Sequence, residues 1–300
     1  MDKGRVAGLV ALVVALAIPV AAAADDAPFV GWTALLPGLS MPYDPTGPDD
    51  CSAGRAACVD KTIRQMTRRL DALACDHNAI FSLTYLRVTE EYRRTIEAPF
   101  FDDTSFVNYE DTVFAHYYFA AYDAWADGRI AEVPPAWRVA FDAAKQRRVT
   151  ATGDLLLGIN AHVQRDLPLV LYALGLVAPD GTSRKADHDR VDIILNRVQD
   201  DILAEIARRF DPTVDDTNLP TGLDDAALFQ ILAGWREKAW RNAELLAAAP
   251  TPAARELVVA SIEHDAELEA RTIVVSMGYL PILQSSGPRD AFCALHHADP

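Results

Sequence analysis

A chain of 300 residues with 50% hydrophobic and 24% charged residues has the composition of a globular protein, which excludes a disordered tail, a collagen-like chain or a disulfide-dominated miniprotein. Its 43 acidic residues outnumber 28 basic ones, for a formal charge of −15. Such a surface repels phosphate backbones and anionic lipid, so nucleic acid is excluded as an electrostatic partner.

Residues 1–24 read as a secretory signal peptide. Lys3 and Arg5 form a basic start, Val6 to Val20 an apolar run, and Ala21 to Ala24 a small-residue cleavage region. The run is shorter than the roughly 20 residues a spanning helix needs. The next apolar run, Pro168 to Pro179, is shorter still. The expectation is a secreted or cell-envelope protein, cleaved near Ala24, with no membrane span afterwards. Residues 25–57, with Pro37, Pro42, Pro45 and Pro48, read as an irregular leader rich in Pro, Gly and Asp.

From there the apolar spacing is helical, with segments near 59–75, 78–97, 108–127, 135–149, 152–175, 187–210, 224–248 and 252–277. Pro134-Pro135 opens one of them; Thr251-Pro252 opens and Gly278 closes another. No strand alternation appears. The fold class is all-α: a single-domain multi-helix bundle over residues 58–280, followed by a tail over 281–300. Segments 108–127 and 152–175 are apolar on nearly every side, which places them at its centre.

Cys51, Cys58, Cys75 and Cys293 suggest two disulfides in an oxidising compartment. A helix between Cys58 and Cys75 holds them about 25 Å apart, which excludes that pair. The expected pairing is Cys51–Cys58 with Cys75–Cys293, tying the tail to the body.

Polar groups on buried helices are the candidates for chemistry. His162 and Asp166 lie four apart, on one face with Leu155, Ile159, Leu169 and Ala173. Pro168 removes the backbone bond to Gln164, so a kink is expected beside the pair. His116 on segment 108–127, His188 in Asp187-His188-Asp189, and Asp265 in the stripe of Leu257, Ser261, Ile262, Leu268 and Thr272 complete the set. Glu256, Glu263 and Glu267 fall on the opposite face and read as solvated. Arg236 and Trp240, also four apart, suit a structural cation–π clasp. If they converge, His162, Asp166, His188 and His116 suit zinc or another divalent transition metal, with Asp265 as a ligand or catalytic base. The bland reading of His162–Asp166 is a hydrogen-bonded pair between packed helices.

The stretch Leu156-Leu157-Gly158-Ile159-Asn160-Ala161-His162 with Asp166-Leu167-Pro168, together with Asp187-His188, Val191, Trp235-Arg236 and Ala239-Trp240, resembles a family of exported bacterial helical proteins known only as a domain of unknown function. The resemblance covers roughly residues 60 to 280 and implies the fold without an activity. The His-x-x-x-Asp spacing of His162 and Asp166 is also similar, more faintly, to the zinc-dependent phospholipase C and P1 nuclease group. That group continues with Gln-Pro and a further His, where this chain has an earlier Pro168 and Tyr172. The leading expectation is a metal-dependent hydrolase of phosphoesters or other esters, acting on a small molecule. The alternative is a non-catalytic scaffold or binding protein of the cell envelope.

Overall fold

A computed structural model describes residues 42–214, 223–280 and 282–299. The expected signal peptide and the leader up to residue 41 lie outside the described residues. The described chain is helical throughout, in the order α1 Ala56–Leu73, α2 Ala79–Thr95, α3 Thr104–Ala126, α4 Pro135–Lys145, α5 Ala151–Ile159, a π-helix Asn160–Asp166, α6 Leu167–Leu174, α7 Lys185–Arg209, α8 Leu223–Ala248, α9 Pro252–Ser276 and α10 Gly287–His296. Among the described residues there is no strand; extended contacts are the isolated bridges Val149–Gly278 and Val177–Ser183. No described helix is long and apolar enough to cross a membrane.

Local signals set the helix starts. The Asp103 side chain accepts from Phe106 N ahead of α3, Thr150 from Gly153 N ahead of α5, and Thr251 from Ala254 N ahead of α9, each satisfying a first-turn amide. Asp187, at the start of α7, accepts from the backbone of Asp102 and Asp103 at 2.8 and 2.9 Å, which joins two helix starts. Gly54 has φ +63, and a Cβ there would meet Ser105 O at 1.8 Å. Only glycine permits that approach of the leader to α3.

The continuous rod α5–π–α6 is the axis of the bundle. α5 packs on α2 and α4, the π segment on α8 and α9, and α6 on α3 and α8. All seven π residues are buried, as are Leu155, Leu157, Leu167 and Val170, because helices cover the rod all round.

Both expected disulfides are present, Cys51–Cys58 and Cys75–Cys293. The tail is more than a tether. It forms α10, in which Arg289 reaches the buried Asp154 at 2.6 Å and Asp290 reaches His77 at 2.9 Å. With Cys293 only 3% exposed, α10 belongs to the core. Cys75→Ser with Cys293→Ser is expected to lower stability by about 2–4 kcal/mol by releasing the long loop. Urea denaturation checks this as a lower midpoint.

Candidate functional site

Beside Pro168, where a kink is expected, the rod carries a π-helix directly before α6. A proline supplies no amide hydrogen, so the turn ahead of it can widen without losing an α-helical bond. The Asn160 carboxamide donates to Ala266 O at 2.9 Å and accepts from Gln164 Nε2 at 2.7 Å, stitching the widened turn to α9. π-helical turns recur at functional sites.

His162 and Asp166 face each other within this turn, with Nδ1 3.1 Å from Asp166 Oδ2. The same oxygen accepts from Trp137 Nε1 at 2.8 Å, and Oδ1 accepts from Arg165 Nη1 at 2.9 Å. Arg165, 1% exposed, is held in turn by Glu263 at 2.7 Å. With Asp166 accepting from every side, the shared proton sits on Nδ1 of His162, and Nε2 keeps its lone pair. That nitrogen is buried and has no hydrogen-bond partner. Burial lowers the affinity of His162 for a second proton, against the pull of Asp166, so the ring is a neutral base.

Aromatic rings frame the imidazole. Phe114 stacks on it with centroids 3.5 Å apart, and Tyr85 meets it edge-on at 4.5 Å. Gly158, one turn earlier, admits Phe81: a Cβ there would come within 2.3 Å of that ring. Gly158→Ala is therefore expected to displace Phe81 and cost about 1–3 kcal/mol by overpacking, measured as a drop in thermal midpoint.

His162 lines a cavity of about 150 Å³ between α2, α3, the rod, α7 and α8, whose walls are mainly Leu, Ile, Val and aromatic side chains. The polar exceptions on its wall include Tyr85, Glu110, Asp111 and Arg236. Burial pushes the carboxyls of Glu110 and Asp111 up to about 7. The neighbouring Glu110 adds to the rise at Asp111, whereas Arg236 and Arg184 pull Glu110 back down. Burial, then Asp111 and Asp166, drive the Tyr85 hydroxyl well above its ordinary range. The Tyr85 hydroxyl and Asp111 Oδ2 are, like His162 Nε2, buried without a partner. Perturbed titratable groups on an apolar pocket are the usual mark of a binding or catalytic site.

The other residues expected to join a metal centre lie elsewhere. His188 is buried at the α7–α8 joint, its Nε2 3.3 Å from Arg236 O, while Arg236 donates to His188 O at 2.6 Å and pairs with Asp192. Trp240, expected to stack with Arg236, instead has Lys185 over its ring. His116 is half-buried, with Phe119 as ring neighbour at 5.9 Å. Asp265 is half-exposed and pairs with Lys238 at 3.3 Å. Among the described residues, none of the five candidates belongs to a group of three His, Cys, Asp or Glu ligand atoms close enough to hold an ion. Cys75, Cys293 and His297 form such a group, and its thiols are spent in a disulfide. With both Asp166 oxygens already engaged, the residues around His162 do not fit the expected metal centre.

α9 also differs from its reading. Its buried stripe is Ile262, Ala266, Ala270 and Ile273, whereas Leu257 and Leu268 are 74% and 57% exposed. Small residues let α9 approach α4 and the rod closely. That stripe swings Glu263 inward onto Arg165 and leaves Asp265 outward.

A family described as "Family of unknown function (DUF5995)" matches residues 59–276, well over half of the chain. No curated protein and no solved structure matches it. The fainter resemblance to the phospholipase C and P1 nuclease group therefore finds no support.

Proposed function

We propose that this chain, which belongs to the DUF5995 family of unknown function, holds a small apolar molecule in the rod-side cavity and transfers a proton at it with His162, positioned by Asp166. The observation that carries the reading is that His162 lines an apolar cavity with its Nε2 unpartnered and its other nitrogen fixed by a carboxylate. That is the arrangement of a general base: a neutral imidazole in one tautomer, beside a space that would hold a substrate. Trp137 and Arg165 hold the carboxylate, and the π turn holds the pair. Export to an oxidising compartment belongs to the same reading, and the two disulfides support it.

A cavity of this size lined by aliphatic and aromatic groups accepts benzene. Saturating benzene is expected to raise the thermal midpoint of the folded chain, and Val198→Phe, which fills the cavity, to abolish that rise. A folded wild-type protein indifferent to benzene would remove the binding half of the reading. The catalytic half is read from the nitrogen chemical shifts of His162: a neutral ring protonated on Nδ1 at pH 7 is expected, and an Nε2–H tautomer or a charged ring counts against it. If the pair served packing alone, as in the scaffold alternative, His162→Phe would change stability and leave ligand conversion untouched.

A further inference from the structure

Three residues of the cavity lining each carry a buried polar atom without a hydrogen-bond partner: the Tyr85 hydroxyl, Asp111 Oδ2 and His162 Nε2. Leaving such atoms unpaired is costly, so a ligand that pairs them gains what the free protein lacks. Tyr85 projects from α2, Asp111 from α3 and His162 from the rod; all three residues line the same apolar space.

We propose, resting on the reading above, that the ligand is a small apolar carbonyl compound whose oxygen accepts hydrogen bonds from Tyr85 and Asp111, with the carbon beside the carbonyl turned to His162. Other chemistries satisfy the wall less well. A hydrocarbon leaves all three atoms unpaired. A carboxylate places an anion on a wall where burial already disfavours the charged forms of Glu110 and Asp111. Asp111 forms no ion pair among the described residues, and its carboxyl, raised to about 7, is available as a donor on the acid side of neutrality. A carbonyl oxygen has two lone pairs for two donors, and a neutral imidazole remains to take a proton.

The reaction that follows is proton transfer at the carbon next to the carbonyl. The C–H bond breaks, its proton goes to His162 Nε2, and its electron pair forms a carbon–carbon double bond. The carbonyl π pair moves onto oxygen, where Tyr85 and Asp111 stabilise the developing charge. Return of the proton to the same carbon, or to another in conjugation with it, restores the carbonyl without a further reactant.

The test titrates the full, disulfide-bonded chain at pH 6 with four probes of one shape: cyclohexanone, methylenecyclohexane, cyclohexylamine and cyclohexanecarboxylate. Cyclohexanone is expected to bind about tenfold more tightly than methylenecyclohexane. Tyr85→Phe, which removes only an unpartnered oxygen, is expected to erase that preference. Asp111→Asn, which still donates, is expected to keep it, and Asp111→Leu to lose it. In deuterated buffer, wild type is expected to exchange the ring hydrogens beside the carbonyl faster than buffer alone, and His162→Phe is not. Tighter binding of cyclohexylamine, abolished by Asp111→Asn, would overturn the proposal in favour of a cation site. Equal binding of ketone and hydrocarbon would overturn the ligand class and leave the cavity reading standing; binding of none of the four would overturn the cavity reading itself. Ketone binding without exchange would overturn the proton-transfer step.

Discussion

Asp166→Ala is expected to destabilise the chain by about 3–5 kcal/mol, the range for breaking a buried ion pair from one side. One carboxylate with no solvent exposure serves three donors, Trp137 Nε1, His162 Nδ1 and Arg165 Nη1. Removing it leaves a guanidinium at 1% exposure with Glu263 as its remaining ionic neighbour, and an indole N–H at the heart of the aromatic cluster with no acceptor. Asp166→Asn separates the two roles. It keeps the volume and one acceptor oxygen, so it is expected to lose roughly 1–3 kcal/mol. However, its amide nitrogen faces either Arg165, donor against donor, or His162, where it disfavours the Nδ1–H tautomer on which the base depends. Urea denaturation gives the stability difference, and the nitrogen shifts of His162 give the tautomer. A loss under about 1 kcal/mol in the alanine variant would mean that packing, rather than this carboxylate, holds the π turn.

The helix axis and the disulfides are legible in the sequence because their signals are local. Helical spacing around Cys58 and Cys75 is enough to discard one pairing, and an apolar surface on nearly every side is enough to place residues 152–175 at the centre. The His162–Asp166 pair is legible for the same reason, since four residues on one helix define a face. What escapes depends on which neighbour arrives. Tyr85 and Asp111 lie on helices buried over much of their length, and nothing in the spacing distinguishes a tyrosine that lacks a partner from one that has found it. On α9 the conspicuous leucines suggest the buried stripe, but Ala266 and Ala270 form it because close approach to the rod favours small side chains. That rotation turns Glu263 from a solvated charge into the partner of Arg165. The tail reads as a tether because Pro, Gly and Ser precede it; its helix is fixed by Arg289 and Asp290 meeting Asp154 and His77, more than a hundred residues distant.

Three buried carboxyls make stability depend on pH in a direction opposite to that of paired surface acids. Glu110, Asp111 and Asp154 are held at about 7 by burial, above the ordinary carboxylate range, so the folded chain binds protons that the unfolded chain has released. Between about pH 4 and 7 their contribution falls as pH rises, and above about 7 it is lost. His77, His162 and His188 are lowered by burial; their contribution is present above about pH 6.5 and lost as pH falls, so it opposes the acids on the way down. Comparing wild type with Asp111→Asn cancels the histidines. The variant carries a neutral donor at every pH, and relative to wild type it is expected to gain roughly 2–4 kcal/mol between about pH 4 and 7, at no more than about 1.4 kcal/mol for each pH unit crossed, then to run parallel. Urea midpoints at half-unit intervals give the difference curve. Curves parallel from pH 4 upward would place an ordinary, ionised carboxylate at Asp111, and with it would go the neutral donor that a carbonyl ligand requires at the cavity wall.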